Sequence, residues 1–215
     1  MKSTFRYIRV MIIVAVAVLA SVGTAAAKDY TFTPEKKRPR LSFEWGVGAS
    51  GSSTTIRNIS TTAVDINPKL ALGAHLDMAL CVGRNFAFET EINYEGASLK
   101  AALANSKGKS TIRTRTIDIP LMASLRLLNS RIRLSAGPLF TVKCDTEYVE
   151  GDKTAFFGPI YPTYNLAAGV GVGLSRHFII EARYIYGLGK CVNQFRGVEF
   201  TTQASRLSVG ITLFF

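Results

Sequence analysis

Two histidines and a run of alternate carboxylates are the side chains with which this sequence could do chemistry. His75 stands two residues before Asp77, so a strand would carry both on one face, and a serine beside them would complete a nucleophile–base–acid group. The surrounding stretch alternates apolar and polar residues, which makes His75 a polar residue of an inner face. His177 lies far away in sequence and no H-E-x-x-H occurs, so the histidines do not form a metal set. Glu89, Glu91 and Glu95 are spaced two and four apart, a spacing that suits ion pairing along one strand better than acid–base work. The stretch GVGASG (Gly46 to Gly51) has the G-x-G-x-x-G form, but a dinucleotide site needs a helix to follow, and SSTTIRNISTTA is Thr-rich and aperiodic. Cys81, Cys144 and Cys191 are odd in number, so three free thiols are expected, with a Cys144–Cys191 bridge as the alternative. The expectation is no catalytic residue, no metal and no cofactor.

What carries these residues is a period of two. Eight segments show it: residues 41–50, 67–80, 86–99, 113–127, 132–146, 163–174, 178–187 and 205–215. One face of each is apolar, as in Leu41, Phe43, Trp45, Val47 or Ile117, Ile119, Leu121, Ala123, Leu125. The other face holds glycines and the charges Glu44, Asp77, Glu89, Glu91, Glu95, Arg126, Arg133, Glu181 and Arg183, with Thr141 and Lys143 placed beside Arg133 on the fifth segment. Gly137-Pro138 interrupts that segment and marks a bulge or kink.

The connections decide the architecture. Those after segments two, four and six are short, and those after one, three, five and seven run 13 to 17 residues and are rich in Ser, Thr, Gly, Asn and Lys. An even count of strands joined alternately by tight turns and long loops is the pattern of an outer-membrane barrel, and each segment is long enough to cross. A water-soluble barrel would put its apolar face inside. Here the apolar face ends in aromatics, Tyr94, Tyr164, Tyr184 and Tyr186 near one rim and Phe86, Phe178 and Phe215 near the other, as at two membrane interfaces. We therefore expect an all-β, eight-stranded antiparallel up-and-down transmembrane barrel over residues 41–215, both termini periplasmic and four long loops outside. Eight strands leave an interior that side chains fill. Arg126 and Arg133 would meet across a short turn and repel, so carboxylates from the opposite wall are expected to pair them.

The ends agree with this reading. Met1 to Ala27 has a basic start, a short apolar run and Ala25-Ala26-Ala27, a signal peptide cleaved after Ala27. Residues 28–40 form a polar basic linker. Beyond the signal 23 basic residues face 15 acidic ones, a net charge of +8. In an exported chain without a basic run among aromatics, that excess excludes a nucleic-acid partner. Ser208, Gly210, Leu213 and Phe215 in SRLSVGITLFF resemble the C-terminal sorting signal of bacterial outer-membrane proteins. That implies recognition by the barrel assembly machinery of a Gram-negative-type envelope, with membrane lipid as the second partner.

Five stretches, TIDIPLMASLRL (116–127), AGP (136–138), AAGVGVGL (167–174), EARYIYGLG (181–189) and the Phe-ending last strand, resemble the PorT-like outer-membrane β-barrel family. The resemblance implies the architecture and carries no functional residue over. The expected role is structural or surface-interacting. The rivals are a narrow pore or transporter, an accessory subunit of an envelope secretion machine, and a lipid-acting enzyme.

Overall fold

The period of two is realised as backbone pairing. The computed structural model describes residues 41–60, 64–103, 109–128, 130–150, 153–175 and 177–215; the expected signal peptide and linker lie outside them. The strands are β1 (Leu41–Asn58), β2 (Val64–Pro68), β3 (Ala71–Val82), β4 (Phe86–Leu103), β5 (Lys109–Leu127), β6 (Ile132–Glu150), β7 (Lys153–Phe156), β8 (Tyr164–Gly173), β9 (Phe178–Gly187), β10 (Cys191–Phe195) and β11 (Val198–Phe214). Eight of them form a closed antiparallel ring, β1-β3-β4-β5-β6-β8-β9-β11, with β11 returning to β1 from Gly46↔Phe214 to Asn58↔Thr202. Closure leaves no edge for lipid to meet unpaired. At the seam Phe215 donates its N–H to the Trp45 carbonyl at 2.8 Å and stacks on the Trp45 ring, centroids 4.7 Å apart.

The apolar residues face outward. Leu41 and Phe43 are 62% exposed, Leu72 68% and Phe88 56%, values that only a lipid surround explains for large apolar groups. On β5 the outward apolar run from Ile117 to Leu127 covers about 33 Å of strand, or roughly 25 Å of height at a tilt near 40°, the thickness of an outer-membrane apolar band.

Two findings differ from the sequence reading. The four outer connections are mostly strand. Residues 99–102 pair with β5, β2 pairs with β4, β7 with β6, and β10 with β11, which closes on the two-residue turn Arg196-Gly197. Both turn residues have positive φ, 49° and 79°, the hairpin geometry that suits twisted strands. The threonines that look like loop composition are β-branched and sit in ladders.

The second difference is on β6. Ile117 of β5 faces Lys143, but Asp118 faces Thr141, so Val142 is an extra residue. The bulge reverses parity: Thr141 points inward, Lys143 points outward with a side chain 59% exposed, and Cys144, Thr146 and Tyr148 follow on the inside. Lys143 is therefore not on the inner face with Arg133. Gly137-Pro138 breaks the ladder without shifting it, since Pro120↔Leu139 and Ala123↔Ala136 keep one register. Gly137 is required there, because a Cβ would lie 2.0 Å from the Leu121 carbonyl oxygen.

Candidate functional site

The inward faces stack charge in three tiers. At the inner end, near the short turns, Arg126 and Arg133 stand directly opposite on β5 and β6. Glu44 of β1 and Glu89 of β4 reach both. Arg126 donates to Glu44 at 2.8 Å and to Glu89 at 3.0 Å, and Arg133 lies 3.6 Å from each. The Phe214 ring lies under the Arg133 guanidinium at 4.7 Å. Two like charges forced together by a tight turn are thus neutralised from the far wall.

In the middle tier Arg183 of β9 donates to Glu91 at 2.8 Å and to Glu181 at 3.1 Å, and Ser135 donates to Glu181 at 3.2 Å. Asp77 faces Glu91 across the β3–β4 ladder. The His75 Nε2 lies 3.0 Å from Thr212 Oγ1 and 3.5 Å from Asp77 Oδ2. Gly48 and Gly169 make room, since a Cβ there would lie 2.2 Å from His75 Nε2 and 2.7 Å from Glu181 Oε1. Thr212 and Asp77 contact the same ring nitrogen of His75. A nucleophile and an orienting acid must occupy opposite nitrogens, so this grouping does not reproduce a triad.

Of the outer tier the sequence expectation named Glu95 but not its partners. Arg206 of β11 donates to Glu95 at 3.1 Å and to Asp118 at 2.6 Å, and the Tyr161 ring covers its guanidinium at 4.6 Å. Thr141 donates to Asp118 at 2.7 Å, and Asn165 donates to Thr141 at 3.1 Å and to the Pro162 carbonyl at 2.8 Å. Arg206 and Asp118 are legible in the pattern, on the polar faces that hold Ser208 and Arg126. Tyr161 is not, because it belongs to a connection without period.

Above the tiers the interior turns apolar. Residues 157–163 fold inward between β7 and β8, burying Phe157, Ile160 and Tyr161 against Leu99, Ile112, Tyr148, Phe195 and Phe200. The Phe157 ring lies 5.7 Å from Phe200 and 6.1 Å from Phe195. Thr146 donates to the Gly158 carbonyl, Gln194 donates to that of Phe157 at 2.8 Å, and Tyr161 and Thr54 share a 2.6 Å hydrogen bond. Burial pushes the Tyr161 phenol up to about 12, so it stays neutral over Arg206. Between the tiers remain cavities of about 30 and 20 Å³, room for single waters.

The remaining expected residues are placed as follows. Ser208 and Gly210 point inward on β11, and Phe215 points outward, 58% exposed. Leu213 is the Cα partner of Phe178 and Val47. Phe86, Tyr94, Tyr164, Phe178, Tyr184 and Tyr186 are all exposed on the outer wall, Phe86 and Phe178 opening strands at the inner turns. Cys81, Cys144 and Cys191 are free thiols. Burial pushes Cys191, on the hairpin above the band, up to about 11, so it is not a reactive thiolate. Among the described residues no three His, Cys, Asp or Glu side chains converge as a metal set.

A family profile described as "Outer membrane protein beta-barrel domain" matches residues 33–193. The chain belongs to that family. No curated protein matches by sequence. Among solved structures, the outer membrane protein OprG from Pseudomonas aeruginosa is similar at 10% identity and a TM-score of 0.54, over 80% of this chain and 95% of that one. Neisserial surface protein A is similar at 12% identity and a TM-score of 0.49, over 80% and 97%. Ail of Yersinia pestis, solved with the heparin analogue sucrose octasulfate, gives 10% identity and a TM-score of 0.49, over 80% and 99%. The likeness to OprG is one of fold: an eight-stranded barrel, which the family places in the outer membrane of a Gram-negative-type envelope.

Proposed function

We propose that this member of the family is a closed barrel whose role is structural or surface-interacting, presenting its outer hairpins outside the cell and passing no solute. The observation that supports the reading most is the succession of Arg126–Glu44–Glu89, Arg183–Glu91–Glu181 and Arg206–Glu95–Asp118 under the apolar plug. Solute would have to displace buried ion pairs and then an aromatic core, each held by contacts on several strands. No catalytic role is assigned, because His75 meets its two partners on one nitrogen.

Planar-bilayer recording of the purified barrel tests this. Almost no conductance is expected, and steady, large single-channel currents would overturn the reading in favour of a pore. The finer PorT-like placement rests on the five sequence stretches. It is tested by pull-down from detergent-solubilised outer membrane, where co-purifying envelope proteins would support an accessory role in a secretion machine. Delivery by the barrel assembly machinery, through Ser208, Gly210, Leu213 and Phe215, and export with cleavage after Ala27 belong to the same proposal.

A further inference from the structure

The apolar band does not end alike around the barrel. On β1 the outward residues above it are Gly51 and Ser53, and on β11 they are Ser205 and Gln203. On β5 and β6 it ends directly in cations, and on β4 a cation follows after two small residues. Arg115 and Arg113 follow Ile117 on the outward face of β5, Lys143 stands opposite Ile117 on β6, and Lys100 follows Ser98 on β4. All four are exposed. Two carboxylates share the sector, Asp145 opposite Arg115 and Glu147 opposite Arg113, and Lys143 engages Asp145 at 2.9 Å. The sector keeps an excess of positive charge.

Its surface is also shaped. Beside Arg115 on β4 stands Gly96, outward and without a side chain, where an added Cβ would meet nothing nearer than the Leu72 carbonyl oxygen at 4.0 Å. Tyr94, half exposed, lies just below, and Ile92, Phe88 and Leu121 continue as open apolar wall.

We propose that this sector, with Arg113, Arg115 and Lys143 around the notch at Gly96, binds the phosphate-bearing headgroup of a lipid in the outer leaflet. Arg113 and Arg115 sit two residues apart on one face, about 7 Å, so their long forks converge on a single phosphate. Tyr94 marks the interface, and the wall beneath it takes the acyl chains. A soluble anion would meet the arginines but gain nothing from that wall. The site does not depend on what the outer hairpins contact.

The test uses the folded protein in uncharged detergent, titrated with phosphatidic acid, diacylglycerol or inorganic phosphate. Retained lipid and the midpoint of heat modification are read. Phosphatidic acid alone is expected to bind and to raise the midpoint. The variant carrying Arg113→Gln and Arg115→Gln should bind it roughly ten- to thirtyfold more weakly, as loss of two cations at a membrane surface would give. Equal binding of diacylglycerol, equal effect of inorganic phosphate, or unchanged affinity in the variant would each overturn the site. Should the double variant not fold, Arg115→Gln alone is read by the same criteria.

Discussion

Arg206 is 2% exposed and touches two carboxylates and an aromatic face. Removing it leaves the buried Glu95 and Asp118 without their cation, which is the expensive way to break an ion pair. Arg206→Ala should destabilise the barrel by about 3–5 kcal/mol in urea unfolding from lipid vesicles. Arg133→Ala should also destabilise it, by less than Arg206→Ala, because Arg126 still holds Glu44 and Glu89. Lys143→Ala is the control. Its exposed pair with Asp145 contributes about 0–1 kcal/mol, so a loss as large as that of Arg206→Ala would contradict the outward placement set by the bulge.

At the scale of elements, the outer core depends on a segment that is not a strand. Phe157→Ala empties a fully buried aromatic site, at a cost of about 3–5 kcal/mol. Hydrogen exchange should then rise in residues 157–163 and β10 while the lumen tiers stay protected; uniform loss of protection would mean that plug and barrel are one cooperative unit. This is also where the sequence stops being readable. Period two placed the eight strands and put Glu44, Glu89, Arg126 and Arg133 on inner faces, because one buried face fixes register, but it left open which carboxylates of the opposite wall meet the two arginines. It missed the continuation of β4, β5 and β6 above the membrane, since Thr- and Ser-rich strand has the composition of loop. It misplaced Lys143 because one extra residue, Val142, reverses parity without any mark in the pattern. Tyr161 reaches Arg206 only through tertiary folding of residues 157–163, which no local spacing encodes.

For the whole molecule, charge is divided between inside and outside. Seven carboxylates (Glu44, Asp77, Glu89, Glu91, Glu95, Asp118, Glu181) and four arginines (Arg126, Arg133, Arg183, Arg206) face the lumen among the described residues. Among the described residues the basic excess therefore lies outside the lumen. The proposed sorting signal is tested at Phe215. Phe215→Asp should lower the heat-modifiable, outer-membrane fraction in cells, since it puts a charge at the lipid boundary and weakens the C-terminal signal. Normal assembly of that variant would remove the role given to the ending.

The stack of Trp45 on Phe215 joins the first strand of the ring to the last. Trp45 is the chain's single tryptophan, so all tryptophan emission comes from one indole, and it sits on a contact between residues near the two ends of the ring. Contacts of that kind are costly in loop-closure entropy and come late. Tryptophan emission during refolding into vesicles should thus change in two stages: first as the strand enters lipid, then as the ring closes. In Phe215→Leu the first stage should persist and the second lose amplitude, turning a seam into a clock for the final step of assembly.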